Sequence, residues 1–309
     1  MDSIFLSGTS NPALARAIAK HLKLPLGNIE ITRFIDNECR VYIKEDVAGK
    51  CVYVIQSLSQ IADQHLVELC LIGQALKSLK ARHVTAVIPW MGYSKQDKEF
   101  RKGEAVSAQL VAKFIESAGF DSVITVELHS ENLVPFFKIP VRVLSTHELL
   151  GESLKKLKLS EDKVNPKNFI VVSPDTGGKS RSEHFARTMK LPIVYLEKSR
   201  DVSTGKVEVS GISGSVKDKE VIIFDDIINT GATAIKTSEF LKKQGAAKIY
   251  FLATHAVLAG DASRHLAQSA IDEVIVTDTI FILREKIFFK LRVVSVANLL
   301  ASAIEGREV

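Results

Sequence analysis

The stretch Val221-Ile-Ile-Phe-Asp-Asp-Ile-Ile-Asn-Thr-Gly-Ala-Thr-Ala234 runs from apolar residues through two acids and a small, hydroxyl-bearing turn into a helical pattern. Four consecutive apolar residues, Val221 to Phe224, mark a strand buried on both faces. The turn behind it aims backbone N–H groups at an anion and adds the dipole of the following helix, while Thr230 and Thr233 can donate hydroxyls to phosphate oxygens. Asn229, Thr230, Gly231, Ala232 and Thr233 therefore read as a phosphate cradle. Asp225 and Asp226, at the strand's end, can accept hydrogen bonds from sugar hydroxyls beside that phosphate, or hold a metal. The plainer reading is a polar strand end followed by a capped helix.

Outward from this unit, short apolar runs alternate with helical patterns. Cys51 to Ile55, Val84 to Ile88, Val123 to Val126, Phe169 to Val172 and Ile249 to Leu252 read as buried parallel strands. Between them Leu66, Leu69, Leu76 and Leu79, and then Val106, Leu110, Val111, Phe114 and Ile115, repeat at helical spacing. Asn11 caps a first helix, Pro12 suits its first turn, and Leu14, Ile18 and Leu22 share a face. Strand and helix in alternation give an α/β fold.

A length of 309 residues suggests two domains, and 46% hydrophobic residues can bury real cores, which excludes disordered and fibrous classes. The 41 Lys and Arg exceed the 36 Asp and Glu by five, but they are spread along the chain. That argues against a nucleic-acid partner and suits phosphorylated small molecules. Cys39, Cys51 and Cys70 form no Cys-x-x-Cys pair and indicate neither a disulfide framework nor a zinc site. The N-terminus lacks a basic leader, and no apolar run approaches the ~18 residues of a membrane span. The expectation is a cytoplasmic protein with no membrane partner.

Gly119-Phe-Asp-Ser-Val-Ile-Thr-Val-Glu-Leu-His129 and Gly245-Ala-Ala-Lys-Ile-Tyr-Phe-Leu-Ala-Thr-His255 both run from a helix-ending Gly through a strand to a His. The pairing points to a duplication, with two similar halves meeting near Leu144: residues 1–144 and 145–309. No low-complexity linker separates them.

Further motifs stand in order. Phe5-Leu-Ser-Gly-Thr-Ser10 opens the chain, followed by Arg33-Phe-Ile-Asp-Asn-Glu38 and Pro89-Trp-Met-Gly-Tyr-Ser-Lys-Gln-Asp97. Val126-Glu-Leu-His129, Val172-Ser-Pro-Asp-Thr-Gly-Gly178 and Glu197-Lys-Ser-Arg200 come next. Together with the Asp225 to Thr233 loop, these resemble the ribose-phosphate diphosphokinase (phosphoribosyl pyrophosphate synthetase) family of the phosphoribosyltransferase-like superfamily, nearly end to end. The resemblance implies two similar phosphoribosyltransferase-like domains, each a mostly parallel sheet flanked by helices. It also implies transfer of the diphosphoryl group of ATP to the anomeric hydroxyl of ribose 5-phosphate, giving 5-phosphoribosyl 1-pyrophosphate and AMP.

Carried over residue by residue, the resemblance assigns Phe34, Asp36, Asn37, Glu38, Lys95, Gln96 and His129 to ATP, and His129 with Asp175 to Mg²⁺. Asp225, Asp226, Asn229, Thr230, Gly231, Ala232 and Thr233 fall to ribose 5-phosphate, with Arg200. Lys198 and Arg200 become the catalytic cations, on a polar stretch from Lys198 to Ser215 whose glycines suit a closing loop. The adenine turn comes from a neighbouring subunit in that family, so a homodimer or homohexamer is expected. His255 keeps a structural reading. The chain departs from the pattern at Lys95, where Arg is usual, at Asn229 for Asp, Ala232 for Gly, and Lys138 and Arg142 for two Asp. Two alternatives remain at this point: a phosphoribosyltransferase that consumes phosphoribosyl pyrophosphate, and a non-catalytic regulatory homologue.

Overall fold

The computed structural model describes residues 3–159, 168–174, 178–200 and 207–307. Two compact units divide the chain. The first runs to Ser145 and takes in Thr279–Phe281 and the segment from Ser295; the second holds Thr146–Asp278 and Ile282–Val294.

In the first unit, strands β1 (Ser3–Ser7), β4 (Cys51–Ile55), β5 (His83–Ile88), β6 (Ser122–Val126) and β7 (Val141–Leu144) form a parallel sheet in that spatial order. Strands β2 (Ile29–Arg33) and β3 (Cys39–Ile43) form a separate antiparallel ribbon inserted between β1 and β4. Helix α1 (Pro12–Leu22) starts as its sequence dictates: Asn11 Oδ1 accepts from Leu14 N at 3.2 Å and Pro12 occupies the first position. Leu14 and Ile18 are buried on its inner face. Helix α2 (Ala62–Ser78) buries Leu66, Leu69, Ile72 and Leu76, whereas Leu79 lies just past its end and is exposed. Helix α3 (Ser107–Ser117) turns Ala108, Val111, Ala112 and Ile115 inward. Leu110 and Phe114 sit one position around the helix and stay exposed, so only half of the expected apolar stripe is core.

The second unit holds a seven-stranded sheet ordered β10 (Val207–Ile212), β9 (Ile193–Arg200), β8 (Phe169–Ser173), β11 (Glu220–Ile228), β12 (Lys248–Ala256), β13 (Glu273–Thr277) and β14 (Leu291–Val294). All neighbours are parallel except the edge pair β9 and β10. Alternate residues of β11 enter different cores: Val221 and Ile223 join Leu241 and Leu266, while Ile222 and Phe224 join Leu150 and Phe185. These partners place α6 (Ala232–Lys243) and α7 (Ala262–Gln268) on one face and α4 (His147–Leu159) and α5 (Lys179–Met189) on the other. Burial on both faces is why the strands read as continuous apolar runs.

Both units therefore contain the same series of five parallel strands with a two-stranded insertion after the first. The correspondence differs from the one expected from Gly119–His129 and Gly245–His255. The first of those segments carries β6, fourth in its series, and the second carries β12, third in its own. The Gly-to-His similarity reflects shared helix–turn–strand grammar rather than equivalent positions. The C-terminal helix α8 (Ala297–Ile304) also departs from the 145–309 grouping, because it packs on α1 and β7. Arg142 fastens it there, donating from Nη1 to Ala303 O and from Nη2 to Arg307 O, both at 2.9 Å.

His147, at the start of α4, is buried among rings. His184 stands edge-on at 4.7 Å between centroids and Phe224 at 4.8 Å, and Phe224 stacks on Phe185 at 4.3 Å. Burial, helped by the charges of His184 and Arg181, depresses His147 from its usual 6.5 to about 4. The unfolded chain thus takes up this proton from pH 6.5 downward while the folded chain resists until about pH 4. Stability should fall with acidification across that window by up to about 3 kcal/mol, with no contribution above it. Denaturant unfolding of wild type and His147→Gln at pH 7 and pH 4 should show the variant losing about that much less; parallel losses would contradict the assignment.

Candidate active site

Strand β11 passes four residues further than its apolar run suggests, to Ile228, because it stays paired with β12 as far as Ile228 opposite Ala256. Asp225 and Asp226 therefore lie inside the strand, and alternation separates them. Asp226 is buried at 1% exposure, while the Asp225 side chain keeps 29%. Asp225 rather than Asp226 presents an oxygen to a ligand in this geometry. Burial, followed by the nearby Asp226 carboxyl, pushes Asp225 well above the usual carboxylate range, and the Arg181 guanidinium opposes the shift.

Beyond the strand, Ala259 N donates to Asn229 O at 2.8 Å and Leu258 N to Ile228 O at 3.0 Å, anchoring the turn. Gly231 takes φ +72°, a left-handed conformation costly for other residues, and a Cβ there would also press on Leu266. Helix α6 then starts at Ala232 with no side-chain cap at Gly231, and Thr230 Oγ1 accepts from Ala232 N at 3.5 Å. The remaining N–H groups of the first turn are left for an outside acceptor, beside the exposed side chains of Thr230 and Thr233.

In the first unit, the β2–β3 turn is tight. Phe34 N donates to Glu38 O at 3.0 Å, Asn37 N to Phe34 O at 2.9 Å with Asn37 at φ +69°, and Arg33 Nη1 to Asn37 O at 2.8 Å. Phe34 is 53% exposed at its tip, and Asp36 Oδ1 accepts from Glu38 N. Arg33, Asn37, Glu38 and Cys39 line a cleft of about 460 Å³ whose far wall is Asp63, Gln64, Val67 and Leu71 of α2. Lys95 and Gln96 line a second cleft, of about 370 Å³, with Gln60, Tyr93 and the same Asp63 and Gln64. Tyr93 donates its hydroxyl to Asp63. The start of α2 thus lies between the two sequence-assigned groups of ATP residues.

Gln60 (φ +56°), Tyr93 (φ +63°) and Glu127 (φ +34°) are left-handed non-glycine residues, each on the loop after a parallel strand of the first unit. Strained backbone gathered at the carboxyl edge of a parallel sheet marks a ligand site in open α/β folds. His129 follows Glu127 on the loop after β6 and is part-exposed. Asp175 lies outside the described residues. Lys198 and Arg200 are at the end of β9, opposite Val209 and Val207 of β10, and their side chains fall outside the description. The expected loop from Lys198 is therefore strand up to Arg200 and again over β10, with a bulge between Val209 and Gly211.

A family model for the N-terminal domain of ribose phosphate pyrophosphokinase matches residues 3–119, and one for a phosphoribosyl synthetase-associated domain matches 197–307. The ribose-phosphate pyrophosphokinase of Haemophilus ducreyi is 39% identical over 306 residues, covering 98% of this chain and 95% of that protein. The chain belongs to the ribose-phosphate pyrophosphokinase family. The Thermotoga maritima ribose-phosphate pyrophosphokinase is 40% identical over 96% of this chain and 92% of its own length. The crystal structure of phosphoribosylpyrophosphate synthetase from Mycobacterium smegmatis superposes with a TM-score of 0.90 at 32% identity, covering 99% of this chain and 98% of that one.

Within this ribose-phosphate pyrophosphokinase fold, the structure adds residues that sequence reading passed over. Asp63, Gln64 and Tyr93 wall the clefts of the first unit. Glu68 of α2, 1% exposed, gathers the Gly8-Thr9 turn: Oε1 accepts from Thr9 N at 2.7 Å and Gln56 Nε2 at 2.6 Å, and Oε2 from Thr9 Oγ1 at 2.7 Å. A Cβ on Gly8 would collide with Gln56 Oε1. Arg181 of α5 bridges Asp225 and Asp226. A signal for it exists in the sequence, because two adjacent acids in an apolar strand need a cation, and a cation in a helix's first turns is opposed by the dipole.

Proposed function

We propose that this chain transfers the diphosphoryl group of ATP to the anomeric hydroxyl of ribose 5-phosphate, releasing AMP. Family membership over the whole chain supports the reaction class. The observation that carries the sugar end is the start of α6, with no side-chain cap at left-handed Gly231, one strand end away from Asp225. It offers N–H groups and hydroxyls to the 5-phosphate and a carboxylate to the ring hydroxyls. The β2–β3 turn and the Lys95–Gln96 cleft supply the nucleotide end, which a phosphoribosyltransferase does not need.

The anomeric oxygen attacks the β-phosphorus, the bond from that phosphorus to the α,β-bridging oxygen breaks, and AMP leaves with the bridging oxygen. The hydroxyl proton goes to solvent. Such a transfer needs alignment and neutralisation of charge on the equatorial oxygens rather than a covalent nucleophile. We assign the cations to Lys198 and Arg200, the nucleotide to Phe34, Asp36, Asn37, Glu38, Lys95, Gln96 and His129, and the sugar phosphate to Arg200, Asp225 and the 229–233 turn, with Asp226 buried behind Asp225. The family resemblance gives Mg²⁺ to His129 with Asp175, of which the Asp175 carboxylate is the oxygen donor this hard ion takes, substrate phosphates and water completing its shell. Bound there, it supplies further charge neutralisation on the phosphates.

A homodimer or homohexamer fits Phe34 and the fully exposed Ile35, apolar side chains at the tip of a projecting ribbon. Three free cysteines fit a reducing cytoplasm, and among the described residues no helix is long and apolar enough to cross a membrane.

Formation of AMP from Mg-ATP only when ribose 5-phosphate is present tests the reaction; ADP as the product would contradict it. Thr233→Val, which deletes a hydroxyl and keeps the shape, should weaken ribose 5-phosphate binding by about 1 to 3 kcal/mol and leave ATP binding nearly unchanged. Equal losses for both ligands in calorimetry would move Thr233 out of the sugar-phosphate cradle.

A further inference from the structure

One guanidinium nitrogen serves both acids of β11. Arg181 Nη1 lies 2.7 Å from Asp225 Oδ1 and 2.8 Å from Asp226 Oδ1. Asp225 Oδ1 also accepts from Asp226 N at 2.9 Å. The bonds from Arg181 and from Asp226 N both fall on Oδ1, on a side chain that is still 29% exposed and whose carboxyl also meets that of Asp226. Arg181 itself is 18% exposed, in the first turn of α5, which carries no acid.

We infer that Arg181 is a positioning residue for the sugar: it pins Asp225 through Oδ1 so that the exposed side of the carboxylate meets a pentose hydroxyl. This rests on the sugar assignment proposed above. Two carboxyl groups side by side repel each other's charge, and an ionised carboxylate is the stronger acceptor for a hydroxyl. Among the described residues, the groups around Asp225 are Asp226 on its own strand and Arg181 on α5. Behind Arg181 stand His147 of α4 and His184 of α5. Arg181 opposes the upward shift of Asp225, so its removal drives the carboxyl further up. Lysine at this position restores the charge but not the fixed planar head.

The test is calorimetric titration of ribose 5-phosphate, and separately of Mg-ATP, onto the full-length protein across pH, which needs no turnover. Arg181→Gln should weaken ribose 5-phosphate binding about 10- to 100-fold with little change for ATP. Its pH of half-loss should rise by about one unit relative to wild type. Arg181→Lys should return the pH of half-loss to near wild type while keeping a several-fold, sugar-specific defect. If Arg181→Gln does not fold, the lysine variant carries the comparison, and no sugar-specific loss there overturns the inference. An unshifted pH of half-loss in Arg181→Gln, or equal losses for both ligands, also overturns it. Wild-type protein that fails to bind ribose 5-phosphate would instead overturn the sugar assignment, and the inference with it.

Discussion

Lys198→Ala is expected to lower kcat by about two to four orders of magnitude with much smaller changes in the KM of either substrate. In diphosphoryl transfer, negative charge builds on the oxygens of the moving group as the bond to the leaving AMP lengthens. A cation fixed in place stabilises that state more than the ground state, so its loss appears in kcat. The backbone of Lys198 is held in β9 opposite Val209 of β10, three residues beyond the pairing of β9 with β8 at Tyr195. That pairing gives the lysine a defined origin, which a free loop would not. Steady-state kinetics at saturating substrate decide the matter, and a kcat within threefold of wild type would remove Lys198 from the transition state.

Glu68→Leu should destabilise the first unit by about 3 to 5 kcal/mol, because Thr9 N and Thr9 Oγ1 lose their acceptor inside the fold and Gln56 Nε2 keeps only His65 O, at 3.3 Å. Gln56 is itself buried and accepts from Ser10 N through its own carbonyl oxygen, so the loss spreads along the turn that joins β1 to α1. The melting temperature should fall by roughly 10 °C. Glu68→Gln keeps one acceptor oxygen and should cost about 1 kcal/mol. Equal melting temperatures for Glu68→Leu and wild type would show that the turn is held by packing alone.

Local signals were legible in the sequence. Asn11, Pro12 and the 3.6-residue spacing after them give α1, and unbroken β-branched runs give the parallel strands, since both faces of each sheet are covered. The cradle was equally local, with small residues between a strand and a helix. What escaped were features fixed by distant partners. β11 outruns its apolar run because β12 continues to pair with it, and β9 with β10 looked like loop because an edge hairpin tolerates polar residues. Arg181 meets acids 44 residues away and Glu68 meets Thr9 across 59, separations at which no periodicity speaks. Leu110 and Phe114 misled because apolar character alone does not say which flank of a helix meets the core.

The central claim is transfer of an intact diphosphoryl group onto ribose 5-phosphate. ATP radiolabelled in its β-phosphate, incubated with Mg²⁺, ribose 5-phosphate and the purified protein, tests it most directly. The label is expected to move into phosphoribosyl pyrophosphate, with unlabelled AMP formed in equal amount. Label retained in ADP, or released as pyrophosphate without entering the sugar product, would contradict it.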